Sequence, residues 1–148
     1  MPKKELETGE CDVAIAGFYD DLPDTLYQQK LRDESFVVLS NSEKFSSKAQ
    51  LDLHAFLDAR HIVTTLTGDL DGIVDKALRK LNLTRNVVAG VSSFLTPPLI
   101  AKDTDCILVC LESIAKMYAF TFDRLTINEC PIDLPKVNIN QIWHGRTH

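Results

Sequence analysis

A chain of 148 residues with 45% hydrophobic content is long enough to bury a core, as one domain of ordinary size or as a lobe with part of a second. Its net charge is −5 and its Lys and Arg residues are scattered, so this segment by itself is not expected to bind nucleic acid, whose phosphates supply most of the affinity. The longest strongly apolar run, Cys106 to Leu111, falls far short of the about 20 residues that cross a bilayer, and Lys3-Lys4 leads into Glu5, Glu7 and Glu10, so no membrane span or export signal is expected and the location is cytoplasmic.

In chain order, Gly9-Glu10-Cys11 is a turn running straight into an apolar strand over residues 12–18, a pattern that suits a strand covered on both faces. Residues 19–24 break it, and residues 26–33 are mixed in character. Residues 35–40 are β-branched and aromatic enough for a second strand, closed by Asn41-Ser42. Ser46, Ser47 and Asp52 precede a short helix through Leu53, Phe56 and Leu57, whose spacing gives one apolar stripe, and a strand over 61–66 follows. Residues 67–72 form a turn offering Asp69 or Asp71 as N-cap to the clearest amphipathic helix, with Ile73, Val74, Ala77, Leu78 and Leu81 on its dry face. Lys76, Arg79 and Lys80 lie on its wet face, toward the negative end of the helix dipole.

A strand over 85–91 leads through Ser92-Ser93 into a helix opened by Pro97-Pro98, since proline suits a first helical turn. A strand over 105–111, a helix over 112–120, a strand around 125–127, a Pro-punctuated crossover over 130–135 and a strand over 137–143 complete the series. Such alternation argues for a largely parallel, helix-covered sheet. Both ends read as interior pieces of a domain, with apolar faces and open strand edges that invite pairing with another chain.

Few residues carry a chemical signature. The four cysteines are expected to be reduced and packed; Cys106 and Cys110 share a strand face without Cys-x-x-Cys spacing. His144 and His148 are four apart but lack a third ligand nearby, so His144 and Arg146 are assigned structural hydrogen bonds and Trp143 a place in the interior. His54 and His61 lie beside no nucleophile. Asp69, Asp71 and Asp75 lack the Gly and Glu of a calcium loop, Val74 and Lys80 standing in those places. With no Gly-x-Gly-x-x-Gly or Walker pattern either, neither an enzyme nor a metal or cofactor site is expected.

Four pieces in order carry a resemblance. They are the strand Gly9-Glu10-Cys11-Asp12-Val13-Ala14-Ile15, the entry Leu31-Arg32-Asp33-Glu34-Ser35-Phe36-Val37-Val38-Leu39, the segment Ser92 to Ala101 with Asp105-Cys106-Ile107, and Leu134-Pro135 through Trp143-His144-Gly145-Arg146. Together they resemble the effector-binding (substrate-binding) domain of LysR-type transcriptional regulators, as a truncated fragment. The resemblance implies an α/β, periplasmic-binding-protein-like (type II) lobe with a Rossmann-like parallel or mixed sheet, plus remnant strands of a second lobe. Residues 1–19 and 136–148 would be the remnant of the first regulatory lobe and 20–135 the second.

It further implies a small-molecule effector, an organic or amino acid, held between two lobes, with self-association as a dimer or higher. DNA would be contacted only through an N-terminal winged helix-turn-helix absent here. The crevice at the carboxyl ends of the strands would be lined by the loop Thr64-Thr65-Leu66-Thr67-Gly68 and by Ser92, Ser93, Phe94 and Thr96, with Phe18 and Tyr19 at the crossover; Thr65, Thr67, Ser92, Phe94, Phe18 and Tyr19 are the candidate effector contacts. Thr and Ser there also serve plain capping and strand roles. A transport-type solute-binding protein of the same fold is the alternative, against which the free cysteines and the lack of an export signal argue.

Overall fold

The structure is a computed structural model that describes residues 3–17, 22–45, 51–65, 68 and 70–147. Its elements are α1 (Lys3–Thr8), β1 (Val13–Ala16), β2 (Leu26–Glu34), β3 (Phe36–Asn41), α2 (Leu53–Asp58), β4 (Arg60–Thr64), α3 (Ile73–Lys80), β5 (Asn86–Val91), α4 (Thr96–Asp103), β6 (Cys106–Leu111), α5 (Glu112–Thr121), β7 (Leu125–Glu129) and β8 (Val137–His144), closed by a 3-10 turn, Gly145–Thr147. They form two units, Met1–Glu34 with Lys136–His148, and Ser35–Pro135.

The first unit is an antiparallel sheet in the order β1-β8-β2, with Leu6 of α1 buried against Ala14, Leu26 and Ile142. The six-residue α1 has only that one apolar anchor and is held by its end: Gly9 turns out of it at φ 85°, a conformation that costs an L side chain, and its N–H donates to the Glu5 carbonyl at 3.1 Å. The Arg146 guanidinium donates to the carbonyls of Leu6 and Glu7, which fits the expected structural role of that residue.

Several expectations change here. Residues 26–33, mixed in the sequence, belong to a nine-residue strand that pairs with β8 from Leu26↔His144 to Glu34↔Val137. That ladder places residues 26–34 in the first unit, whose first segment ends at Glu34. The strand β1 is not covered on both faces: Ala14 is buried, but Val13 and Ile15 are 44% and 69% exposed. Strand parity likewise buries Ile142 and leaves its neighbour Trp143 only half-buried, stacked on Tyr27 at 6.2 Å between ring centroids.

The second unit is a five-stranded sheet in the order β5-β4-β6-β3-β7. It is mixed rather than largely parallel: β4 runs parallel to β5 and β6, whereas β3 runs antiparallel to β6 and β7. Helices α2 and α3 cover one face, where Phe56, Val74 and Leu78 meet Val38 and Ile107. On the other, α5 packs Ala115 on Leu39 and Leu125, and α4 lies beside it, its Lys102 carbonyl accepting from Asn41 and its Lys102 ammonium lying 5.4 Å from the Phe122 ring centre.

Local signals set the helix starts. The Asp52 carboxylate caps α2 by accepting from the Ala55 N–H at 2.8 Å. The N-cap of α3 is Gly72, not Asp69 or Asp71. Asp75, three residues on, reaches back to accept the Gly72 N–H at 2.9 Å, and Asp71 instead pairs with Arg79; Asp69 lies outside the described residues. Asn82, at φ 56°, turns the chain out of α3.

Candidate functional site

The parallel strands β4 and β5 end side by side, and their C-terminal residues lead into α3 and α4. The Thr65 N–H donates to the Val91 carbonyl at 3.0 Å, which extends the ladder one residue past β4. Its side-chain oxygen accepts the Gly68 N–H at 3.0 Å, and among the described residues its own proton has no acceptor, which leaves it for one placed above the strand ends. Gly90 makes the close approach feasible: a Cβ there would lie 2.6 Å from Leu70 Cδ2 and 3.1 Å from Thr65 Cγ2.

Beyond β5, Ser92 and Phe94 are exposed. Ser93 does the local structural work. Its Oγ accepts the N–H groups of Leu95 at 3.2 Å and Thr96 at 3.3 Å, and the Thr96 hydroxyl at 3.1 Å. With Pro97 and Pro98 next, lacking N–H groups, little of the usual anion-binding capacity of a helix start is left at α4. A ligand here meets side-chain hydroxyls and an aromatic ring more than helix amides. The Thr64 hydroxyl donates to the Ser93 carbonyl at 3.5 Å, which joins the two strand ends. Thr67, Phe18 and Tyr19 lie outside the described residues. Sequence reasoning placed Thr64 and Ser93 along the crevice but passed over Gly90; a glycine inside an apolar strand was the signal for a close approach.

On the α2–α3 side of the sheet lies a buried polar network. The Arg85 guanidinium, 3% exposed, donates from Nε and Nη2 to the two oxygens of Asp75 at 2.9 and 2.7 Å, and its Nη1 lies 3.3 Å from His61 Nδ1. His61 is fully buried, with Nε2 2.7 Å from the Phe56 carbonyl. These partners select the neutral ring with its proton on Nε2. Burial, aided by the Arg85 charge and opposed by the Phe56 carbonyl and Asp75, lowers its pKa to about 4. Burial works to raise the Asp75 carboxyl, yet the hydrogen bonds from Arg85 and the Gly72 N–H hold it below the usual carboxylate range. Among the described residues, no cluster of three or more His, Cys, Asp or Glu side chains is arranged to hold a metal ion.

Residues 2–148 match the family model described as the LysR substrate binding domain. The chain belongs to the LysR substrate-binding domain family. This LysR domain is 30% identical over 146 residues to the HTH-type transcriptional regulator SyrM 1 of Sinorhizobium fredii, which covers 98% of the chain and 43% of that protein. It is 24% identical over 143 residues to the HTH-type transcriptional activator NahR of Pseudomonas putida, covering 97% of the chain and 47% of NahR. The chain thus spans less than half the length of these curated relatives.

In fold, the LysR domain is similar to a probable transcriptional regulator from Pseudomonas aeruginosa, with a TM-score of 0.87 at 22% identity over 99% of this chain and 49% of that one. It is also similar to the regulatory domain of MexT, a transcriptional activator of the same organism, with a TM-score of 0.80 at 22% identity over 97% of this chain and 68% of that one. These relatives are regulators and not enzymes, and the transport alternative gains no support from them. No helix among the described residues is long and apolar enough to cross a membrane.

Proposed function

We propose that this chain is the effector-sensing part of a cytoplasmic LysR-type transcription factor, and that a small polar organic molecule, an organic acid or an amino acid, binds at the C-terminal ends of β4 and β5. The observation that carries this is the Thr65 hydroxyl, which accepts from Gly68 and among the described residues donates to no acceptor, beside the exposed Ser92 and Phe94. Phe94 supplies apolar cover and the hydroxyls supply orientation. Thr67, Phe18 and Tyr19 belong to the same proposal. DNA contact, which the charge of −5 argues against for these residues, belongs to a winged helix-turn-helix in the whole protein, and the relatives are named as HTH-type regulators.

Calorimetric titration of small carboxylates and amino acids into the chain tests this reading. A ligand that binds the wild type should bind Thr65→Ala about fivefold more weakly, the loss of one hydrogen bond of about 1 kcal/mol. Absence of saturable heat across both classes, or equal affinity for Thr65→Ala, Ser92→Ala and Phe94→Ala, would refute it.

Self-association is part of the proposal and is assigned to the first unit. Among the described residues no strand pairs with the outer edge of β1, and Val13, Ile15 and Tyr27 expose apolar surface on the sheet face opposite α1.

A further inference from the structure

Arg85 takes no part in the ligand surface, yet it is bound to the connection that carries it. It stands just before β5, and its guanidinium reaches two other elements at once: His61 of β4 at 3.3 Å and Asp75 in the first turn of α3 at 2.7 and 2.9 Å. His61 extends the chain of bonds to the Phe56 carbonyl in α2. Asp75 extends it to the Gly72 N–H, the last residue before α3.

The link from β4 to α3 is therefore fastened at both ends. At one, the Thr65 N–H is bonded to Val91 and the Thr65 hydroxyl to Gly68; at the other, Gly72 is bonded to Asp75 and through it to Arg85. Leu70 between them rests where a Cβ on Gly90 would stand. The Asp71–Arg79 pair, at 2.7 and 3.0 Å, lies on the surface, where solvent screens it to little consequence. The Arg85–Asp75 pair is different, because its guanidinium is buried and its fork geometry admits one relative placement of the two groups.

A buried ion pair is poor evidence of stability, since well-packed apolar residues of similar volume hold a fold as well. What it supplies instead is a fixed position. We propose that Arg85 is a positioning residue of the effector site: by holding Asp75, and through it Gly72, it fixes the α3 end to which the Thr65–Gly68 pair is tethered, and hence the direction of the Thr65 hydroxyl. This rests on the reading of Thr65 as a ligand contact.

Residue-resolved amide hydrogen exchange on the chain tests it without a ligand. In Arg85→Met, exchange at Gly68 and Gly72 should accelerate at least tenfold more than at Val38 and Ile107, which lie in central strands. In Leu78→Ala, which weakens the same helix from its apolar side, the amides should accelerate together. Arg85→Lys, which keeps the charge without the fork, should fall between Arg85→Met and wild type at Gly72. If Arg85→Met does not fold, Asp75→Asn breaks the same pair and should give the same local acceleration. Acceleration at Gly68 and Gly72 only in step with Val38 and Ile107 would overturn the proposal, because it would make Arg85 a general stabiliser. The calorimetric titration above is a separate assay, so failure of the effector reading shows there, with the wild type, and not in the exchange rates.

Discussion

Acid should destabilise the second unit in a pH window set by His61. The ring is fully buried, it donates from Nε2 to the Phe56 carbonyl at 2.7 Å, and its other nitrogen faces the Arg85 guanidinium at 3.3 Å. A second proton would set an N–H against that cation, so the folded state holds the imidazole neutral down to about 4 against an ordinary value of 6.5. At about 1.4 kcal/mol per pH unit, that gap is worth about 3 kcal/mol. The folded value lies below the unfolded one, so between them the unfolded chain binds the extra proton. The contribution is complete above about pH 6.5, falls as the pH drops toward about 4, and changes no further below that. Asp75, whose carboxyl is held below its ordinary 3.8, loses its contribution only under still more acid conditions.

Urea unfolding at a series of pH values between 7.5 and 4, followed by far-UV circular dichroism, reads this directly. The single tryptophan, Trp143, lies in the first unit and is the wrong probe. Wild type should lose about 1.4 kcal/mol per pH unit across the middle of the window, and His61→Gln, whose amide keeps a donor and an acceptor without a titrating proton, should not. His54→Gln, at an exposed position beside Asp58, should track wild type. Parallel pH profiles for wild type and His61→Gln would refute the reasoning.

Two further outcomes are expected. Replacing Val13 and Ile15 by Lys should convert self-associated chain to monomer in sedimentation velocity at tens of micromolar, because charge on an edge strand opposes pairing, and monomeric wild type under those conditions would refute the assignment of association to β1. Burial pushes the Cys110 thiol up to about 12, so Cys110 should resist an aromatic disulfide reagent at pH 8 until the chain unfolds; modification of native protein at that site within minutes would contradict the burial.

The helix α3 was legible because its apolar residues recur at three- and four-residue spacing, and β3, β4 and β6 because β-branched and apolar runs mark buried strands. The family was legible too, in short pieces whose order survives along the chain. The strand β2 was not: seven of its nine residues are exposed, so it shows no alternation, and what makes it a strand is β8, more than a hundred residues away. The same distance hid the division after Glu34. Of the expected ligand residues, Thr65, Ser92 and Phe94 could be named from their place after strands, but that Ser93 and two prolines use up the start of α4 required the hydrogen bonds themselves.

The sequence by itself determined α2 to α5 and the buried strands β3, β4 and β6, since periodicity, capping residues and prolines act over a few neighbours; α1, with one apolar anchor, carried no such signal. Strand direction and the side on which Trp143 falls were decided by pairing, because register and parity are properties of two strands and not of one. The joining of His61, Asp75 and Arg85 was likewise a tertiary outcome. No local pattern brings a strand, a helix turn and a loop onto one guanidinium; burial does, because a charge removed from water must find its partners wherever the fold has placed them.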